Sequence, residues 1–257
     1  MKIKDLYLVT GMGKDTDGEC RKKIKEIIAD TGANEVSSPD QAGLIVVMGG
    51  DGTIMRASHL AHRYDIPIIG VNLGRIGYMA ELETDELDRL RDVINGRYTE
   101  EKRMMLSVSY GGAEYECLND AVVRAKTTHP ATVKLECDGQ TVNTYCGDGL
   151  ICATPTGSTA YSVSAGGSVV DPRLQCLCIT PLCPQSLNAR PLIFAPSCSL
   201  TLRACEGYEC ILTVDGGPSI TLEPNKEVVI KKSSRSLRML RISDTGFYTV
   251  LSKKLYI

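Results

Sequence analysis

Asp51 stands between paired glycines in MGGDGTIMRA (residues 48–57), directly after the apolar run LIVV. A tight hairpin would account for Asp-Gly, but it needs a second strand at once. The next residues are instead TIMRASHLAHR, whose alanines, methionine and leucine favour helix. Strand, glycine loop, helix is the arrangement in which bare backbone N–H groups and a helix N-terminus receive phosphate oxygens. A carboxylate among phosphates is repelled by them, so Asp51 points to chemistry: accepting a proton from an attacking hydroxyl, or holding magnesium. The spacing matches neither the Walker pattern nor G-x-G-x-x-G. GMGKDTDG (11–18) lacks the final glycine of the latter and reads as a loop.

A second cluster lies in CGDGLICATPTGSTAYSVSAGGSVVDP (146–172), which gathers Asp148, Thr154, Thr156, Ser158, Thr159, Tyr161 and Ser164 around an apolar strand. Hydroxyls this dense exceed what one turn consumes and suit a ligand rich in ribose hydroxyls, amides and phosphates. Asn119-Asp120 interrupts the apolar pattern of YECLNDAVVRA, so a solvated bulge or a ligand contact is expected to absorb the pair. The eleven cysteines are odd in number and include no C-x-x-C, and His59 and His62 have no third ligand near them in sequence. Reduced thiols packed as small hydrophobes are expected, without a zinc site, and no metal ligand is assigned.

The elements that must hold these residues change character near residue 100. Before it, LYLVT (6–10), LIVVM (44–48) and PIIGVN (67–72) read as buried strands. They alternate with helices in CRKKIKEIIADTG, in TIMRASHLAHR, and in TDELDRLRDVING with Thr84 as N-cap and Gly96 at its end. This order predicts an α/β domain with a parallel sheet over 1–100. After it, MLSVSY, VVRA, VKLEC, QTVNTY, LTLRAC, ILTV and VVIKK alternate with period two, joined by turns at Asp138-Gly139 and Asp215-Gly216-Gly217. They predict an antiparallel β-sandwich over 101–243. DTGFYTVLSKKLYI (244–257) reads as helix and is expected to return to the first domain.

Composition narrows the class. The 257 residues leave room for two domains, and 43% apolar with 23% charged residues is ordinary for a soluble globular chain. A net charge of −2 argues against nucleic acid, and the one basic run, KKSSRSLRMLR (231–241), reads as a solvated strand face. No run nears the ~20 apolar residues of a membrane helix, and the N-terminal apolar run is too short for a secretory signal, so the cytoplasm is expected.

Taken together, GGDGT, NLGRIGYMAEL, LND and GDGLICATPTGSTAYSVSAGG, in this order over nearly the whole chain, resemble the bacterial NAD kinases. GGDGT alone also resembles the diacylglycerol and sphingosine kinases, and a similar sequence occurs in phosphofructokinases. The resemblance implies a Rossmann-like, phosphofructokinase-like α/β domain followed by a β-sandwich. It also implies transfer of the terminal phosphoryl group of ATP, or of polyphosphate, to the 2′-hydroxyl of the adenosine ribose of NAD, with magnesium or another divalent cation accompanying the donor. It places the catalytic role on Asp51, with Gly49, Gly50, Gly52, Thr53 and Arg56 in the phosphate-donor loop and Arg75 as a further phosphate partner. It places the NAD contacts on Asp51, Gly52, Tyr78, Asn119, Asp120, Thr156, Thr159, Ala160, Tyr161 and Ser164. Asp148 would reach the NAD of a neighbouring subunit in a homodimer or homotetramer. A lipid kinase and a non-catalytic NAD sensor are the competing readings. The first would need an apolar cleft, and the second would have no use for Asp51.

Overall fold

The computed structural model describes residues 2–74, 77–242 and 246–255. The described elements are β1 (Asp5–Thr10), α1 (Glu19–Thr31), β2 (Asn34–Glu35), β3 (Leu44–Met48), α2 (Asp51–Tyr64), β4 (Ile68–Val71), α3 (Leu90–Ile94), β5 (Thr99–Tyr110), β6 (Ala113–Cys117), β7 (Asp120–Ala125) and β8 (Ala131–Cys137). They continue as β9 (Gln140–Gly147), β10 (Gly149–Ala153), α4 (Tyr161–Ser164), β11 (Leu177–Leu182), β12 (Leu192–Phe194), β13 (Leu200–Ala204), β14 (Cys210–Val214), β15 (Ile220–Leu222), β16 (Glu227–Arg241) and α5 (Phe247–Leu255). They form two compact units, one from Met1–Lys102 with Leu237–Ile257 and one from Arg103–Ser236. The chain re-enters the first unit inside β16, seven residues before the expected 244, because that strand runs on unbroken and its far end pairs Met239 with Ile68 of β4.

The first unit is built on a parallel sheet in the order β2-β1-β3-β4. All five residues of β3 are buried, as a strand covered on both faces requires. Ile24, Ile27 and Ile28 line one side of α1 and join Leu6, Leu44, Val46 and Met48 in a core. Thr53, Ile54, Ala57, Ser58 and Ala61 form the buried stripe of α2. The segment expected to be one helix from Thr84 is a 3₁₀ turn, Thr84–Arg89, followed by α3. Its cap is Glu83 rather than Thr84: Glu86 Oε2 reaches back to accept the Glu83 N–H at 3.1 Å, a capping box.

The second unit is a sandwich of antiparallel sheets. One sheet runs β12-β11-β10-β7-β14-β15; in the other, β13 pairs with β8 and with the Glu227–Ile230 end of β16, while β8 pairs with β9. Leu135, Leu200, Leu202 and Ile230 from one sheet meet Val123, Leu150, Ile179 and Leu212 from the other in a single core. The period-two pattern holds in β8 and β13. It fails in β9, whose first five residues are exposed, and in β7, buried from Asp120 to Val123 because Val170, Cys176 and Cys178 cover the outer side of Val122 as they do that of Ile151 and Ala153 in β10. The basic run in β16 is neutralised where it re-enters the first unit: Arg241 pairs with Glu101 at 2.6 Å and Glu81 at 3.0 Å, and Arg238 with Asp65 at 3.4 Å and Glu100 at 3.5 Å. Among the described residues no helix is long and apolar enough to cross a membrane.

Candidate active site

β3 ends at Met48, the chain turns at Gly49-Gly50, and α2 begins on Asp51 itself. Gly50 is extended, and its carbonyl accepts the first helical bonds from Thr53 N at 2.8 Å and Ile54 N at 3.2 Å. A Cβ on Gly49 would sit 2.4 Å from Thr53 Oγ1, so the turn closes on the threonine side chain. Thr53, expected in the donor loop, is buried against Gly49 and Gly11. Gly52 and Arg56 are exposed on the opening turns of α2.

The Asp51 carboxylate is fixed from outside its own loop. Oδ2 accepts the Tyr78 N–H at 2.9 Å and Oδ1 accepts the Met79 N–H at 3.0 Å. These amides come directly after Gly77, where a Cβ would lie 2.2 Å from Oδ1. A carboxylate oxygen has two lone pairs, so each Asp51 oxygen can accept one hydrogen more. The C-terminal helix supplies the counter-charge: Lys254 Nζ lies 3.7 Å from Oδ2 and 4.1 Å from the Tyr78 ring centroid. Phe247 packs on the same ring at 6.0 Å between centroids. Burial, and then the charge of Asp51, pushes the Tyr78 phenol above its ordinary range. The Tyr78 ring, expected to lie near adenine, is thus engaged by α5. Arg75 lies outside the described residues.

The same unit holds a cavity of about 630 Å³ lined by Asp15, Asp17, Lys23, Asn72, Gly74 and Glu83, among others. Its carboxylates serve the fold: Asp15 accepts the Cys20 and Arg21 amides at 2.9 Å, and Asn72 Nδ2 donates to both Glu83 oxygens at 3.1 and 3.0 Å.

In the second unit, half-buried Asn119 and buried Asp120 sit at the start of β7, and the backbone there is held by Asp215. Its Oδ2 accepts the Leu118 N–H at 2.8 Å, and its Oδ1 accepts those of Asn119 at 2.8 Å and Asp120 at 3.2 Å. Thr154 completes the clamp, donating from Oγ1 to Leu118 O at 2.6 Å and from its amide to Asn119 O at 2.9 Å. Gly157 approaches so closely that a Cβ there would lie 2.0 Å from Asn119 O. Burial, and then the charge of Asp215, pushes the Asp120 carboxyl up to about 7.

The dense hydroxyls of 154–164 are used by the fold more than a purely ligand-facing role would require. Ser158 Oγ donates to Pro155 O at 2.7 Å and accepts Val170 N at 3.0 Å; Ser162 bonds Thr180 at 2.8 Å; Thr159 Oγ1 donates to Thr156 O at 3.2 Å. Thr156 is buried, with the Arg103 guanidinium 3.4 Å from its hydroxyl. Thr159 and Ala160 are half-buried, while Tyr161 and Ser164 on α4 are exposed. Asp148 is exposed at the opposite end of β10 from Thr154. The five residues of β10 lie between it and that cluster, a span of roughly 20 Å.

Comparison with known proteins gives the chain a family. The family model for the ATP-NAD kinase N-terminal domain matches residues 10–98, and that for the ATP-NAD kinase C-terminal domain matches 118–242. An NAD kinase of Heliobacterium modesticaldum is 40% identical over 224 residues, covering 84% of this chain and 79% of the relative. The chain belongs to the NAD kinase family. An NAD kinase of Carboxydothermus hydrogenoformans is 36% identical over 262 residues, covering 98% of this chain and 88% of its own. An NAD kinase structure from Archaeoglobus fulgidus in complex with ATP superposes with a TM-score of 0.82 at 26% identity, over 98% of this chain and 99% of that one. Yeast NADH kinase complexed with NADH shares the fold, with a TM-score of 0.90 at 22% identity over 99% of this chain and 88% of that one. Against this family background, Lys254 and Asp215 lie outside the quoted motifs, and Gly77 lies inside NLGRIGYMAEL without having been given a role. Asp215 carries a signal, a turn aspartate before two glycines, but nothing local shows what its carboxylate holds.

Proposed function

We infer that this chain phosphorylates NAD with ATP: the terminal phosphoryl group passes to the 2′-hydroxyl of the adenosine ribose, giving NADP. The observation that carries the mechanism is the Asp51 carboxylate, positioned by the Tyr78 and Met79 amides with an accepting site left on each oxygen. Asp51 takes the 2′-hydroxyl proton as that oxygen attacks the γ-phosphorus in line. The new P–O bond forms while the bond to the β-phosphate oxygen breaks, and ADP leaves with that electron pair. Because this transition state is loose, positioning and charge balance supply most of the acceleration. Lys254 and Arg56 offset the charge that Asp51 brings to the phosphates.

Both Asp51 oxygens already accept an amide hydrogen, and this one carboxylate is no cage for a cation. The residues therefore fit a magnesium ion that is carried by the donor's phosphates and water, with Asp51 at most one contact. When bound, that ion neutralises charge on the donor oxygens. Asn119 and Asp120 hold the adenosine, and Asp120, titrating near neutrality, can donate as well as accept. Thr156, Thr159, Ala160, Tyr161 and Ser164 line the remainder of the NAD site. Asp148 serves a neighbouring subunit's NAD in a homodimer or homotetramer, which a solution mass measurement checks.

Incubation with ATP, magnesium and, in parallel, NAD, diacylglycerol or sphingosine tests the reading. Phosphate incorporation into NAD alone is expected. Incorporation into a lipid would favour the lipid-kinase alternative, and NAD binding without turnover would favour a sensor.

A further inference from the structure

Cys137 and Cys198, two half-buried thiols packed against the core of the second unit, converge at one end of a sheet. Cys137 ends β8, and Asp138 and Gly139 form the turn into β9, with φ of 49° and 80°. β13 runs antiparallel beside β8 with Leu200 opposite Cys137, which brings Cys198, just before that strand, to the same end of the sheet. A backbone bond from Asp138 N to Ser199 O at 2.9 Å ties the two segments, and Ser199 N donates to Asp138 Oδ1 at 2.9 Å, which fixes the carboxylate. With Oδ1 so held, Oδ2 stands 3.7 Å from Cys137 Sγ. Donor atoms of Cys137, Asp138 and Cys198 all lie within 4.8 Å of one another. A tetrahedral ion bound at ~2.3 Å by sulfur and ~2.1 Å by oxygen keeps its donors roughly 3.6 to 3.8 Å apart.

We propose that Cys137, Asp138 and Cys198 form a binding site for a soft divalent cation of the zinc class, which pins the β8–β9 turn to the segment before β13. Two sulfurs select zinc or cadmium over magnesium and calcium, which prefer oxygen. The Ser199 amide supplies the outer bond that orients a ligating carboxylate. The two thiols are half-buried and the carboxylate is exposed, so solvent can reach the cluster and a water can complete the tetrahedron. Binding must displace thiol protons and therefore strengthens as pH rises. The site is independent of the kinase reading, since none of its residues belongs to the proposed NAD or phosphate machinery.

The test is a cadmium titration of the full chain kept reduced with a phosphine. Thiolate-to-cadmium charge-transfer absorption saturating at one equivalent is expected. Asp138→Asn, which the left-handed turn position tolerates, should weaken binding about 10- to 100-fold. Cys198→Ser should abolish the band and Cys176→Ser should leave it unchanged. Should Cys198→Ser not fold, the unmutated chain still decides: cadmium should slow alkylation of Cys137 and Cys198 selectively, read by peptide mass. Equal alkylation rates with and without cadmium, or a charge-transfer band that survives Cys198→Ser, would overturn the site. So would isolation of Cys137 and Cys198 as a disulfide that persists in the reductant.

Discussion

Substituting Gly77 with alanine tests the positioning of Asp51 without touching that residue. The added methyl would begin 2.2 Å from Asp51 Oδ1 and 2.9 Å from its Cγ, where ordinary contact starts near 3.4 Å. Carboxylate and loop must therefore separate by about 1.2 Å, the difference between those contacts, which also breaks the hydrogen bonds from the Tyr78 and Met79 amides. Misplacing a reacting group by ~1 Å costs on the order of 10²-fold, or about 2.7 kcal/mol of barrier. The expected result in a coupled NADP-formation assay is a kcat near one hundredth of wild type, with KM for NAD changed by no more than about threefold, because uniform binding is left intact. Gly43→Ala is the control, since its methyl meets nothing nearer than 3.7 Å. Circular dichroism establishes that both variants fold. A folded Gly77→Ala enzyme with wild-type kcat would refute the claim that this carboxylate must stand where the two amides hold it.

Asp215→Ala should strand the three amides that its carboxylate satisfies, at ~1–3 kcal/mol each when buried. It should raise KM for NAD at least tenfold while lowering kcat less; a stable variant with unchanged KM would contradict the positioning role. The Asp120 carboxyl, raised to about 7 in the folded chain, binds a proton more tightly there than in the unfolded chain. Its contribution to stability is therefore full below the unfolded carboxylate value of about 4 and is lost as pH rises through about 7, a swing of up to about 4 kcal/mol. Denaturant unfolding of the NAD-free enzyme should accordingly show wild type losing more stability than Asp120→Asn between pH 5 and pH 8. Parallel profiles would count against a protonated Asp120.

The parallel sheet of the first unit was legible because its strands are continuous apolar runs and its helices carry a 3.6-residue stripe: Ile24, Ile27 and Ile28 fall on one face wherever the helix packs. The loop at Asp51 was legible because a hairpin and a phosphate loop differ in the element after the glycines, a strand in one and a helix in the other. Long-range contacts were not. Tyr78 and Met79 reach Asp51 across 27 and 28 residues, Asp215 reaches Asn119 across 96, and Lys254 arrives from the far end of the chain. Residue type and spacing carry no trace of those distances. The hydroxyls of Thr154 and Ser158 show a related limit: each bonds to its own fold, and in sequence such a buried hydroxyl looks the same as one facing a ligand. Thr84 has the residue type preferred at a cap, yet Glu83 holds that position because Glu86 reaches back to its amide.

The most direct measurement is NADP formation by Asp51→Asn, which keeps the side chain's size while withdrawing its capacity to take a proton. A proton-accepting Asp51 predicts a kcat lower by roughly 10²- to 10⁴-fold, with NAD affinity held within a few-fold of wild type by isothermal titration. Undiminished turnover in that variant would contradict the role given to this carboxylate.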